Sequence, residues 1–167
     1  MARLEGEVLV QKSRREVYAY LLDMSTRGRF WPEEFGNFKL TSPNPFGVGG
    51  SVGFDVKLGK LMAGHITLSG VLPPEGITEI GRAGDLRWTL RWAMEERDDG
   101  TAVRIIMEYG VSSFLKKPLE LLVYAPAAKR WHASLLARFK REMESESATA
   151  VTARNRRASA GYVGAQW

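Results

Sequence analysis

The groups in this 167-residue chain that could move protons are two histidines, five tyrosines and the acidic residues, because there is no cysteine. Without cysteine there is no thiol nucleophile, no disulfide framework and no cysteine-based metal site. His132 falls within an apolar helical stripe. A lone imidazole in that position is either a hydrogen-bonded core residue or the single polar group that orients a ligand head or acts as a base. Tyr109 and Tyr124 are the phenols placed to share that environment. His65 has the strand parity of Ala63, Thr67 and Ser69, while Ile66 and Leu68 take the opposite face, so His65 is expected on an outer surface. Asp55, Glu95 and Glu108 alternate away from the apolar series, so no carboxylate is expected to face His132. General acid–base chemistry needs such a neighbour, and a metal site needs more than two separated histidines. No catalytic residue, no metal ligand and no cofactor is assigned.

Two further segments invite a chemical reading. Gly47-Val48-Gly49-Gly50-Ser51-Val52-Gly53 is glycine-rich, but Val52 stands where the dinucleotide fingerprint requires glycine, and a strand pattern follows where a helix should. Phe114 and Leu115 precede Lys116 and Lys117, an apolar and basic combination suited to transient contact with an anionic membrane surface. The net charge of +5 and the pI near 9.6 reflect cations spread along the chain. A nucleic-acid partner, which needs a clustered patch, is not expected. The longest apolar run is eight residues, Leu121 to Ala128, with Pro126 inside it. A membrane span needs about 20. The start of the chain, Met-Ala-Arg-Leu-Glu-Gly-Glu, lacks the pattern of a signal peptide, so a cytoplasmic location is expected.

The elements that would position these groups follow from periodicity. Residues 3–11 read as a strand. Ser13 and Glu16 have capping-box spacing ahead of a helix whose stripe is Val17, Tyr20, Leu21 and Met24. Phe30, Trp31 and Phe35 cluster around Pro32 in a second short helix or packed turn. Residues 42–50 form a loop by composition. Strand patterns follow at 52–58, 61–72 and 77–80, with a turn at 81–85. Leu86, Trp88, Leu90, Trp92 and Met94 alternate strictly with the residues between them. Asp99-Gly100 is a hairpin turn ahead of a strand carrying Val103, Ile105, Met107 and Tyr109. Beyond Ser113 the period becomes helical to about Glu144. Leu121, Ala125, Ala128, His132, Leu135, Leu136, Phe139 and Met143 share one face, and Pro126 should kink or break the helix. Residues 145–167 are rich in small residues and arginine and read as a disordered tail.

The segments from Leu4 to Glu144 resemble the helix-grip superfamily, which includes START and birch-pollen-allergen-like proteins and the polyketide cyclase/dehydrase and lipid-transport family (SRPBCC). The resemblance rests on the opening Gly6-Glu7-Val8-Leu9-Val10 strand, on Arg15-Glu16-Val17-Tyr18-Ala19-Tyr20-Leu21-Leu22-Asp23, and on the aromatic–proline turn Phe30-Trp31-Pro32. Phe46-Gly47-Val48-Gly49-Gly50, Leu86 to Trp92, the Asp99-Gly100-Thr101-Ala102-Val103 hairpin and the long C-terminal helix complete it. It implies an α+β fold, an antiparallel sheet wrapped around a long C-terminal helix, with two short helices after the first strand. It also implies an internal cavity for an apolar small molecule, and it carries over no catalytic motif.

Small helix residues facing bulky aromatics point the same way. The sheet wall is expected to include Phe54, Val56, Trp88, Leu90, Trp92, Met107 and Tyr109, and the helix wall Tyr124, Ala128 and His132. Residues 1–144 form the expected ligand-binding domain and 145–167 the tail. Three readings stand: binding or transfer of a lipid, quinone or polyketide; a polyketide cyclase or aromatase using His132 or a cavity tyrosine; and a non-catalytic protein-interaction module. Oligomeric state is not legible in the sequence.

Overall fold

A computed structural model of the chain describes residues 1–112, 115, 118 and 120–163. One sheet organises it. Strand β1 (Ala2–Val10) is followed by helix α1 (Arg14–Leu22), a 3-10 turn (Met24–Thr26) and the single-turn helix α2 (Arg27–Phe30). Strands β2 (Phe35–Leu40), β3 (Ser51–Leu58), β4 (Lys60–Leu72), β5 (Gly76–Ala83), β6 (Leu86–Arg97) and β7 (Gly100–Val111) then run antiparallel. A π-helical turn (Glu120–Tyr124) leads into helix α3 (Ala125–Met143), and helix α4 (Glu146–Val163) follows. The seven strands lie in the order β1-β7-β6-β5-β4-β3-β2, so β1 closes back on β7 and β2 is the far edge.

Local chemistry sets these boundaries. Ser13 caps α1 by accepting from the Glu16 amide, while the Glu16 carboxylate accepts from the Ser13 amide at 3.0 Å. Burial works against the Glu16 charge, yet the Ser13 hydrogen bonds hold its carboxyl below the usual range. Ser13→Ala is expected to cost about 1 kcal/mol in urea unfolding. A loss of under a few tenths would mean that the cap contributes nothing to stability.

The alternation in β6 translates directly into burial. Leu86, Trp88, Leu90, Trp92 and Met94 are buried, and the residues between them are mostly exposed. Their partners on β7 are Val111, Tyr109, Met107, Ile105 and Val103. Gly81 lies opposite Trp88, and a side-chain carbon there would collide with the indole ring. This corrects the turn expected at 81–85. Gly81 is a strand residue with an indole lying over it, β5 continues to Ala83, and the chain reverses at Gly84, whose φ is +57°.

The final helix is shorter than its pattern suggests. Pro126 occupies the first turn of α3, where its missing N–H costs nothing. The 19-residue helix is therefore about 28 Å long. It packs along β1, where a side chain at Gly6 would clash with Leu136. Tyr20 donates to Glu142 at 2.9 Å and ties α1 to α3. Burial, together with the Glu142 carboxylate, pushes the Tyr20 phenol far above its ordinary range.

Two further corrections concern elements that composition concealed. Where a disordered tail is expected, the chain forms α4 and packs it on α1. Ala148, Val151, Thr152 and Asn155 are buried, at helical steps of three and four. That face is made of small and polar residues, so it has little hydropathy contrast. The other is β2, hidden because its Phe-Gly-Asn-Phe sequence holds a register shift between Gly36 and Lys39 and a positive φ at Asn37.

Candidate functional site

The inner face of the sheet and the N-terminal half of α3 meet across a packed aromatic layer. Trp88, Leu90 and Met107 come from β6 and β7, and Trp131, His132 and Leu135 from α3. Trp31, Pro32 and Phe35, from the connection between α2 and β2, close the third side. Between these nine residues lies a narrow void of about 10 Å³, room for about one water molecule. Phe35 meets Trp131 edge-on at 4.9 Å between ring centroids, and Trp31 meets Phe35 at 4.9 Å. Trp31 and Phe54 stack at 6.2 Å. Such pairs each contribute about 0.5–1.5 kcal/mol beyond their buried area.

Of the ten expected wall residues, the structure brings Trp88, Leu90, Met107 and His132 together around the void. Phe54, Val56, Trp92, Tyr109, Tyr124 and Ala128 are all buried but do not line it. Phe54 stands one layer back, against Trp31 and Trp88. Trp92 belongs to a second cluster further along the helix, 5.0 Å from Phe139. Tyr124 sits in the π-helical turn. Small residues at Ala127 and Ala128 let α3 approach the sheet, and large aromatics fill most of the remaining space. The sequence reading missed Trp31, Pro32, Phe35, Trp131 and Leu135 as lining residues. Phe30, Trp31 and Phe35 were legible as an aromatic cluster, but nothing in their spacing says they fold under the helix.

The polar groups in this layer are unevenly satisfied. His132, 6 % exposed, makes a 3.1 Å hydrogen bond between Nε2 and the carbonyl oxygen of Ile105. A carbonyl only accepts, so Nε2–H is the donor in this bond. This bond anchors α3 to β7. By contrast, the indole nitrogens of Trp31, Trp88, Trp92 and Trp131 are all buried with no protein acceptor. Leaving a buried donor unsatisfied costs about 1–3 kcal/mol. Three of the four belong to residues around the void.

One acid not singled out from the sequence, Glu79, does face inward. It shares the inward parity of Ile77 and Ala83 on β5 and is fully buried. Its Oε1 accepts from Nε of Arg27, also fully buried, at 2.8 Å. Arg27 further donates to the carbonyl oxygens of Asp23 at 3.1 Å and Leu21 at 2.5 Å. The pair fastens the turn after α1 to the sheet and lies outside the set of residues lining the void. His65 is half-buried on the outward series of β4, as its parity predicts. Among the described residues no cluster of His, Asp or Glu could hold a metal ion, and no helix is long and apolar enough to cross a membrane. Leu115 is 89 % exposed, while Phe114, Lys116 and Lys117 lie outside the described residues.

Sheet order, edge closure of β1 on β7 and the helix lying in the concave face define the architecture. The chain has the helix-grip fold. It superposes on the solution structure of KanY with a TM-score of 0.67 over 87 % of this chain and 100 % of that one, at 15 % identity. It is similar to the crystal structure of Ara h 8.0201, with a TM-score of 0.61 at 11 % identity, covering 85 % of this chain and 97 % of that one. The di-domain ARO/CYC StfQ from the steffimycin biosynthetic pathway matches with a TM-score of 0.65 at 12 % identity, over 85 % of this chain and 50 % of that one. No protein-family model and no curated protein matches the sequence. The helix-grip expectation drawn from the sequence is therefore met at the level of fold.

Proposed function

We propose that this chain binds, and carries, an apolar small molecule bearing hydrogen-bond acceptors, of the quinone, polyketide or lipid class, between β6, β7 and the first half of α3. The observation that carries this reading is the set of indole N–H groups of Trp31, Trp88 and Trp131. The three residues border one void, and their indole nitrogens are buried without a protein acceptor. A buried indole nitrogen usually finds a partner, and a carbonyl-bearing ligand supplies one while its apolar body replaces ring contacts. The present void is far smaller than such a ligand. A ligand would therefore have to displace the Trp31–Phe35 connection, which leads into the edge strand β2. The helix-grip fold of KanY, Ara h 8.0201 and StfQ accords with this reading. Exposed Leu115 and Leu122 give the stretch before α3 an apolar surface for transient membrane contact during transfer.

Native mass spectrometry of the purified protein, followed by solvent extraction, tests the proposal. The expected result is a defined added mass that matches an extracted carbonyl-bearing apolar compound. An unadorned mass together with no uptake of a fluorescent apolar probe overturns it and turns attention to a protein partner. Cyclase activity is the second reading, because His132 is the one titratable side chain among the residues lining the void. Recovery of the ligand chemically unchanged after incubation decides for carriage over cyclisation.

A further inference from the structure

We propose that the outer face of the sheet, on the side away from the aromatic layer, carries an anion site that takes a phosphate group. His65 on β4, Arg82 on β5 and Arg87 on β6 build it. Strand register places these three residues directly opposite one another, His65 against Arg82 and Arg82 against Arg87. Directly opposed side chains start about 5 Å apart, and like charges in that relation destabilise a sheet. The row continues through Gly53 to Lys39 on β2 at one end and reaches Gly110 at the other, so no flanking side chain offers a counter-charge.

Several other arginines of this face have acidic partners. Arg91 pairs with Glu108 at 3.0 Å, Arg3 with Glu5 at 2.8 Å, and Arg104 lies 3.6–3.7 Å from Glu5 and Glu7. The arginines of the His65–Arg82–Arg87 row stand apart from these pairs. Neither Arg82 nor Arg87 makes an ion pair or side-chain hydrogen bond among the described residues. The acids one register step away are engaged, Asp55 by Asn37 at 2.8 Å and Glu108 by Arg91. Asp85, in the adjoining turn, also has an interaction of its own.

The three side chains border an open groove of about 360 Å³ whose remaining lining is Ala63, Gly64 and Gly84. Small residues there leave the cationic ends accessible. Thr67 Oγ1 lies 3.3 Å from Nδ1 of His65, which leaves Nε2 as the ring nitrogen available to a ligand. Two guanidinium forks and an imidazole on one groove suit a phosphate group, whose double charge and several tetrahedral oxygens can engage more than one fork at once.

NMR titration of the labelled full-length protein with inorganic pyrophosphate, at constant ionic strength, tests the site. Vesicles containing phosphatidic acid form a parallel arm. Saturable shifts at the His65 ring and at the Gly64 and Gly84 amides are expected. Affinity should fall about tenfold or more in Arg82→Gln/Arg87→Gln and stay unchanged in Arg104→Gln. Binding of pyrophosphate assigns a soluble phosphate ligand, and binding of vesicles alone assigns a lipid headgroup. Shifts that sodium chloride reproduces, or that persist in the double variant, overturn the proposal. A closed core in the mass-spectrometric experiment does not affect it, because the two sites lie on opposite faces of the sheet.

Discussion

Glu79→Ala will lower the unfolding free energy by about 3–5 kcal/mol at neutral pH. The loss is larger than the removed contacts suggest because of what stays behind. Arg27 is fully buried, and Glu79 is its carboxylate partner. Its other donors reach only neutral oxygens, those of Leu21, Asp23 and Thr26. Without Glu79 the guanidinium remains charged in the core, since arginine does not deprotonate in proteins. The double replacement Arg27→Met/Glu79→Leu removes both charges and restores apolar packing. It is expected to recover most of the loss, as replaced buried pairs commonly do. Urea unfolding of the wild type, Arg27→Met, Glu79→Leu and the double variant closes the cycle. A double variant as unstable as Glu79→Ala would show that the pair is needed for more than charge balance, and a single-variant loss below about 1 kcal/mol would show that water reaches the site.

The legible and illegible parts of this fold separate along one physical line. Patterns carried within one element were readable. The β6 alternation, the Ser13–Glu16 capping box and the α3 stripe ending at Met143 each depend on neighbours two to four residues away. Features that arise where separate elements meet were not. Glu79 looks like an ordinary strand acid until the turn after α1 brings Arg27 over it. Trp31 and Phe35 join the void only because β2 pairs at the sheet edge and turns them under α3. The α4 stripe of Ala148, Val151, Thr152 and Asn155 is helical in spacing but too weakly apolar to stand out. The same limit governed the candidate site. Facing alanines suggested an open cavity, whereas the outcome depended on three tryptophans from three distant segments converging on the space.

That convergence divides the core into two ends with different expected responses. Phe139 is fully buried, 5.2 Å from Phe30 and 5.0 Å from Trp92, in the end of the core away from the void. Phe139→Ala removes a large ring from a filled cluster and is expected to cost about 3–5 kcal/mol, while affinity for the apolar ligand stays within twofold of wild type under conditions where the variant is folded. Trp131→Phe acts at the other end. It keeps an aromatic ring against Phe35 but deletes an indole N–H that has no protein acceptor. Its stability loss should be smaller than that of Phe139→Ala, because the substitution also removes an unsatisfied buried donor. Ligand affinity should nevertheless fall about tenfold, the upper end of a net hydrogen-bond contribution of about 1.4 kcal/mol. Calorimetric titration of the extracted ligand into both variants, alongside urea unfolding, reads the two effects separately. If Phe139→Ala loses affinity while Trp131→Phe keeps it, the ligand lies with Trp92 and Phe30, and the unpaired indoles around the void are a cost of packing that the fold tolerates.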